Sequence, residues 1–405
     1  MAVTYFIAVT LALFAGALPA QILGVIWASI QESMTVEIPY IALLRLLGCA
    51  GAIAAVILSE RIRGYILARD LIVGAIALEA LSLIGFSLSR EFWNLCVWIT
   101  ALGFSAGLCL ALISYLIRGT WQQKASLLFA FSPMGAAAGA CLTRYILSAG
   151  RSWRAACQGL SIAQIVLCMS VFFLRRTLLR DVADILKKQR RRMEMHRQKR
   201  REELIREKGE VDARLEQTFL VRLLLLYTAA VFCALVLLCA IHLTYRVQAV
   251  ENPLSANLVR NIVYVCGGMA AGRIACSFLR ARAKQVCWLG LLLTFASLLI
   301  AAAFIWTGHD AEGIRLLAVI GTGFGAGMIY PALIRLDDER LDDDAQTKMT
   351  GLIPAFYLGA DAMITPFVQT MSQSFGMARC IGVMLALTCC LGICLIFASV
   401  RLGKR

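Results

Sequence analysis

Titratable side chains are rare where this sequence is most apolar, and the few found there are the ones able to do chemistry. Asp361 stands in YLGADAMITPF, Glu79 in AIALEALSL, and Arg45, Arg144, Arg260 and His242 interrupt other apolar stretches. In hydrocarbon an ionised group costs several kcal/mol unless it is paired or faces water, so each is a site candidate. A carboxyl can carry a proton or hold a cation, or it can form a salt bridge or polar contact between helices. Both readings stand for Asp361; for Glu79 the structural contact is the expectation. A guanidinium has paired donors that match a carboxylate or phosphate, and its long stem also lets it reach the membrane interface from inside a helix. His242 is placed to titrate near neutral pH or to close a helix end by hydrogen bonding.

Other chemistry is poorly represented. The 15 cysteines fall in or beside apolar runs, with no spacing that suggests a disulfide framework or a metal site, and they read as small packing groups. No nucleophile with a base, acid/base pair or Walker motif is visible, so catalysis, ATP hydrolysis, a cofactor and a bound metal are not expected.

The elements that must position these residues follow from composition. The chain has 405 residues, 60% of them hydrophobic and 16% charged, with a mean hydropathy of +0.76, far more apolar surface than a soluble core of this length uses. Apolar runs long enough to cross a bilayer as helices are expected near 3–28, 39–58, 69–88, 93–116, 126–148, 153–174, 219–243, 255–279, 285–306, 313–334, 349–371 and 378–400. The reading is an all-α polytopic membrane protein with twelve transmembrane helices. The first run lacks a basic leader and a cleavage site and is expected to be retained.

The net charge of +15 does not indicate nucleic acid, because most of the 40 Lys and Arg lie in the turns on one side and in the C-terminal tail. By the positive-inside rule both termini and the long loop are cytoplasmic. Trp27, Trp93, Trp121, Trp153, Trp288 and Trp306 lie near run ends, as an aromatic belt requires, and Trp98 lies deeper.

A polar stretch from Arg175 to Gln217 separates six runs from six, giving an N-terminal bundle (1–174), a largely helical basic linker (175–218) and a C-terminal bundle (219–405). The linker reads as a tether and topology signal; its clustered cations also suit anionic lipid head groups. The acidic loop from Arg335, RLDDERLDDDAQTK, faces the same side.

The halves also resemble each other. In the fourth and tenth runs Gly103, Phe104, Ala106 and Gly107 match Gly323, Phe324, Ala326 and Gly327. In the fifth and eleventh, Ala130-Phe131 and Gly135-Ala136 match Ala355-Phe356 and Gly359-Ala360. In the second and eighth, GAIAAVILSERIRG from Gly51 is laid on GRIACSFLRARA from Gly272. An even number of runs per half makes this a parallel repeat about an axis along the membrane normal. The glycines Gly103, Gly107, Gly323 and Gly327 are expected to permit close helix approach.

Twelve helices, a parallel six-plus-six repeat, a long basic central loop and a basic turn after the second run resemble the Major Facilitator Superfamily. Tyr330-Pro331, Gly272-Arg273 and Trp153-Arg154 lean towards its fucose-permease-like, sugar-transporter-like branch. The loop motif of that superfamily is represented here by Ser59, Glu60, Arg61, Ile62, Arg63 and Gly64, so Glu60, Arg61, Arg63 and Gly64 are its candidate residues. The sequence departs from the branch at Ile113-Ser114-Tyr115, at Gly139-Ala140 and in lacking an acid after Tyr227.

The resemblance implies an alternating-access secondary transporter for a small organic solute in the cytoplasmic membrane, as a monomer, with proton coupling through Asp361 as one mechanism. Export of hydrophobic compounds and a transporter-like sensor are the alternatives. Helices one, four, seven and ten line the family's cavity, beside helices two, five, eight and eleven, which makes Gln21, Ser105, Tyr115, Tyr227, His242, Asn261, Tyr264 and Tyr330 lining candidates. Arg45, Arg144 and Arg260 are candidates for an anionic solute.

Overall fold

The computed structural model describes residues 3–35, 40–62, 65–120, 125–174, 256–279, 283–307 and 312–338, with short helical pieces between 382 and 393. The linker, the seventh and eleventh runs, and with them Tyr227, His242 and Asp361, lie outside the described residues, as do Arg63 and Gly64. Among the described residues the regular elements are all helical. They are α1 (Val3–Ala17), a 3-10 turn (Leu18–Gln21), α2 (Ile22–Met34), α3 (Tyr40–Ile62), α4 (Ala68–Leu88), α5 (Phe92–Thr120), α6 (Ala125–Phe129) and α7 (Phe131–Ser148). After α8 (Trp153–Leu174) come α9 (Ala256–Phe278), α10 (Ala283–Thr307) and α11 (Glu312–Asp338). By length and composition, six helical spans among the described residues can cross a membrane, two of them interrupted: Phe6–Met34, Ala68–Leu88, Phe92–Ser114, Ser126–Ser148, Trp153–Leu174 and Gln285–Ala303.

The first run is two helices and not one, and a proline explains why. A regular helix bonds each carbonyl to the amide four residues on, and Pro19 has no amide to give to Ala15. The chain tightens into the 3-10 turn, with Ile22 N–H donating to the Pro19 carbonyl, before α2 resumes. The fifth run breaks similarly: Ala130 N–H bonds the Leu127 carbonyl between α6 and α7, and Pro133 withholds an amide from the Phe129 carbonyl.

The parallel repeat is present in the packing. α5 packs on α3 and α4, and α11 packs on α9 and α10. A Cβ placed on Gly103 would overlap the backbone of Gly48, and one on Gly107 that of Ala52; the equivalents Gly323 and Gly327 meet Val265 and Met269. From the other side, Gly51 meets Thr100 and Phe104, and Gly268 meets Ile320 and Phe324. These contacts correct the register expected for the second and eighth runs: Gly51 stands where Gly268 stands, one helical turn from Gly272. Small residues recur in both helices at turn-like spacing, so a one-turn slip preserves much of the match.

Two apolar clusters form the N-terminal core. One joins α1, α4, α5 and α6 through residues such as Leu13, Ile76, Leu112 and Leu128. The other joins α2, α3, α4, α5 and α8 through Ile26, Leu44, Leu83, Leu95 and Leu160. At the start of α8, Trp153 Nε1 donates to Ser33 Oγ at 2.9 Å, while Arg154 stacks over the Trp153 ring and donates to the Ser89 carbonyl at the end of α4. A cation at a helix C-terminus meets both an orphaned carbonyl and the negative end of the dipole.

Candidate functional site

The two halves meet along α7 and α9. Val25 of α2, Ala136 and Ala140 of α7, and Val259, Ile262 and Cys266 of α9 form one buried apolar cluster. Alanines make this contact shallow, whereas Gly135 and Gly139 on the same helix interlock with the backbone of Phe14 and Leu18 in the first span. α7 is therefore fastened to its own half through glycines and touches the other half through methyl groups.

One end of this seam is tied by a proline-freed carbonyl. Arg273 of α9 is 7% exposed, and its Nη1 donates to the Phe129 carbonyl at 2.7 Å, the group that Pro133 leaves without a helical donor. Next to it Ser126 Oγ donates to Cys276 Sγ at 3.7 Å. A hydrogen bond from a charged donor contributes about 1.5–3 kcal/mol, and here it joins a helix of one half to a helix break of the other.

Cations gather near the remainder of the seam. The Arg45 guanidinium lies against Gly24, its Nη2 3.6 Å from where a Cβ would stand, one turn from Gln21 and beside Val25 of the seam cluster. Arg144 is half-buried one turn beyond Ala140, and Arg260 is half-buried beside Val259. Asn261 is 4% exposed, and Tyr264 is half-buried against Val265 and Met269. α7 carries Arg144 and α9 carries Arg260 and the already bonded Arg273, with no acid on either helix. With Arg45 of α3, Arg144 and Arg260 are the guanidinium groups whose paired donors match carboxylate or phosphate oxygens.

Other expected residues stand elsewhere. Ser105 is fully buried and its hydroxyl donates to the Leu102 carbonyl of its own helix at 2.8 Å. Tyr115 on α5 and Tyr330 on α11 have backbones in these helices, but their side chains, like that of Glu60, lie outside the described residues. Arg61 is exposed at the end of α3. Pro331 follows Tyr330 inside α11, so the Gly327 carbonyl loses its helical donor.

A second polar group lies inside the N-terminal half. Glu79 of α4 and Gln164 of α8 are both 0% exposed. Gln164 Nε2 donates to the Ala15 carbonyl at 2.9 Å, the group freed by Pro19, and also to Glu79 Oε2. Because the Ala15 carbonyl can only accept, the amide orientation of Gln164 is fixed. On the same face of α8, Ser161 Oγ donates to the Ala80 carbonyl at 2.9 Å and Cys168 Sγ to that of Val73 at 3.6 Å. Gln164 itself is not marked as a partner in the sequence, but its acceptor is: a proline four residues after a carbonyl marks an acceptor in need of a donor.

Comparison with known proteins identifies the family and the fold. The family model described as Major Facilitator Superfamily matches residues 5–360. Among solved structures, that of the Major Facilitator Superfamily proton:xylose symporter XylE bound to 6-bromo-6-deoxy-D-glucose is similar to this chain. Its TM-score is 0.75 at 13% identity, over 98% of this chain and 95% of that one; at such identity the likeness concerns the fold. No curated protein matches the sequence.

Proposed function

Because the chain belongs to the Major Facilitator Superfamily, and is thus a multi-pass secondary transporter and not an enzyme, we propose that it carries a small organic anion between its two halves by alternating access. The observation that supports this reading is the seam: a shallow contact between α7 and α9, with Arg45, Arg144 and Arg260 around it and no acid on either seam helix. Gln21, Asn261 and Tyr264 are the neutral groups that would orient the solute. Arg273 on the Phe129 carbonyl holds one end of the seam shut, and opening that end requires this bond to break.

The protein works in the cytoplasmic membrane as a monomer with both termini inside, a placement supported by the distribution of Lys and Arg. The basic linker between residues 175 and 218 tethers the halves and contacts anionic lipid. Proton coupling is supported by Asp361, an acid in an apolar run, and by the fold shared with a proton symporter.

The test is flux into liposomes containing the purified protein, with and without a pH gradient, using labelled mono- and dicarboxylates, sugar phosphates, neutral sugars and nucleosides. Uptake of an anion that Arg144→Gln slows at least tenfold is the expected result. Transport of a neutral sugar that no anion inhibits overturns the solute class, and absence of any flux favours a sensor. Full retention of gradient dependence in Asp361→Asn removes that residue from coupling.

A further inference from the structure

Glu79 is buried among four helices with little to balance a charge. Its Oε2 accepts from Gln164 Nε2, and its Oε1, shielded from solvent, has no hydrogen-bond partner; neither has Oε1 of Gln164. The titratable groups facing it are thiols: Cys109 from α5 and Cys168 from α8. The described part of α1 that packs there contributes no titratable side chain, and no described cation pairs with Glu79. Cys109 Sγ and Glu79 Oε1 both border Gly16, at 3.0 and 3.8 Å from a Cβ built there, so the carboxyl has a small residue of the first span beside it.

The position is connected as well as enclosed. Gln164 holds Glu79 with one amide hydrogen and the Ala15 carbonyl with the other. Ala15 is available only because Pro19 breaks the first span, and beyond that break α2 places Val25 in the cluster between the halves. A change in what Glu79 asks of Gln164 therefore bears on the break, and the break leads to the seam. As a carboxylate, Glu79 competes for both amide hydrogens and draws a donor or water to Oε1; as an acid it drops that demand and instead presents an O–H that seeks an acceptor.

We propose that Glu79 and Gln164 form a proton-binding site in the N-terminal half, in which gain or loss of a proton on Glu79 resets the Gln164 hold on the broken first span. No other bond is made or broken: the proton passes between a carboxylate oxygen and water admitted when the break loosens. The site is separate from the seam arginines and from Asp361. It rests on the transporter reading only for its purpose, since proton binding is measured without any solute.

The experiment is infrared spectroscopy of the full-length protein in lipid across a pH titration, with amide hydrogen exchange over residues 15–22. The wild type is expected to show a protonated-carboxyl C=O band that is lost as pH rises, with exchange around the break, corrected for intrinsic rates, changing in step. Glu79→Gln should lack that band and lose the pH dependence of exchange. A band identical in Glu79→Gln, or one that persists unchanged wherever the protein stays folded, overturns the proposal, the second case leaving a fixed structural acid. Should Glu79→Gln fail to fold, Glu79→Asp must shift the band, and an unshifted band is equally fatal. Loss of flux with an intact titrating band would sink the transport reading and leave the proton site standing.

Discussion

Gly267 and Gly268 are neighbours in α9, yet the structure assigns them opposite sensitivities. A Cβ at Gly267 meets nothing within 4 Å, whereas one at Gly268 overlaps the Ile320 carbonyl and crowds the Phe324 amide on α11. Replacing either glycine with alanine removes the same backbone entropy from the unfolded chain and gains about 0.5–1 kcal/mol in a helix. That term cancels when the two variants are compared. The difference is the overpacking cost, about 1–3 kcal/mol where neighbours must shift, and backbone atoms shift less readily than side-chain ends. A difference of ~1–2 kcal/mol already changes the folded-to-unfolded ratio roughly 5- to 30-fold. Thermal unfolding of the purified variants in one detergent, followed by tryptophan fluorescence, is the assay. Gly267→Ala should melt at or above the wild type and Gly268→Ala below it. Gly51→Ala, the repeat mate pressed on Thr100 and Phe104, should behave like Gly268→Ala. Equal melting of the two neighbours would refute the close-packing argument, and a harmless Gly51→Ala would refute the corrected register.

Other expectations follow from the polar ties. Ser126→Cys, with Cys276 Sγ 3.7 Å from the present hydroxyl, should oxidise to a disulfide between the halves; after tryptic cleavage of the linker they should stay joined on a non-reducing gel and separate with reductant. Gln164→Ala leaves the Ala15 carbonyl and Glu79 without their donor and should cost about 2–4 kcal/mol of stability. Adding Pro19→Ala should restore part of it, because an N–H at position 19 serves the Ala15 carbonyl; measured additivity would count against the link. Trp153→Phe removes the bond to Ser33 and should cost about 1 kcal/mol.

What could be read from the sequence was what repeats or accumulates. Long apolar runs and the GF-x-AG pattern at Gly103 and Gly323 each involve many residues or two copies, so they survive local ambiguity. The register of α3 against α9 did not, because small residues at turn-like spacing look alike after a four-residue slip; backbone contacts at Gly51 and Gly268 were needed to decide it. The burial of Ser105 and its bond to Leu102 are visible only in space, because the sequence does not say which way a helical hydroxyl turns. For Glu79 the sequence supports a structural contact without naming its partner; its burial and its partner 85 positions away depend on tertiary packing. Pro19 and Pro133 were visible all along, but each signals only that a carbonyl is available, and the donors Gln164 and Arg273 come from distant helices.

The two faces of α7 have a kinetic consequence. Gly135 and Gly139 press on the backbone of the first span, and any change there must disturb the folded half itself. Ala136 and Ala140 meet α9 with methyl groups, a surface with shallow ridges and few barriers to slippage. Substitutions one residue apart on a single helix should thus separate into two classes: those that alter how much folded protein accumulates, and those that leave its amount untouched while changing how quickly it alternates. α7 is at once a wall of one half and a bearing for the other.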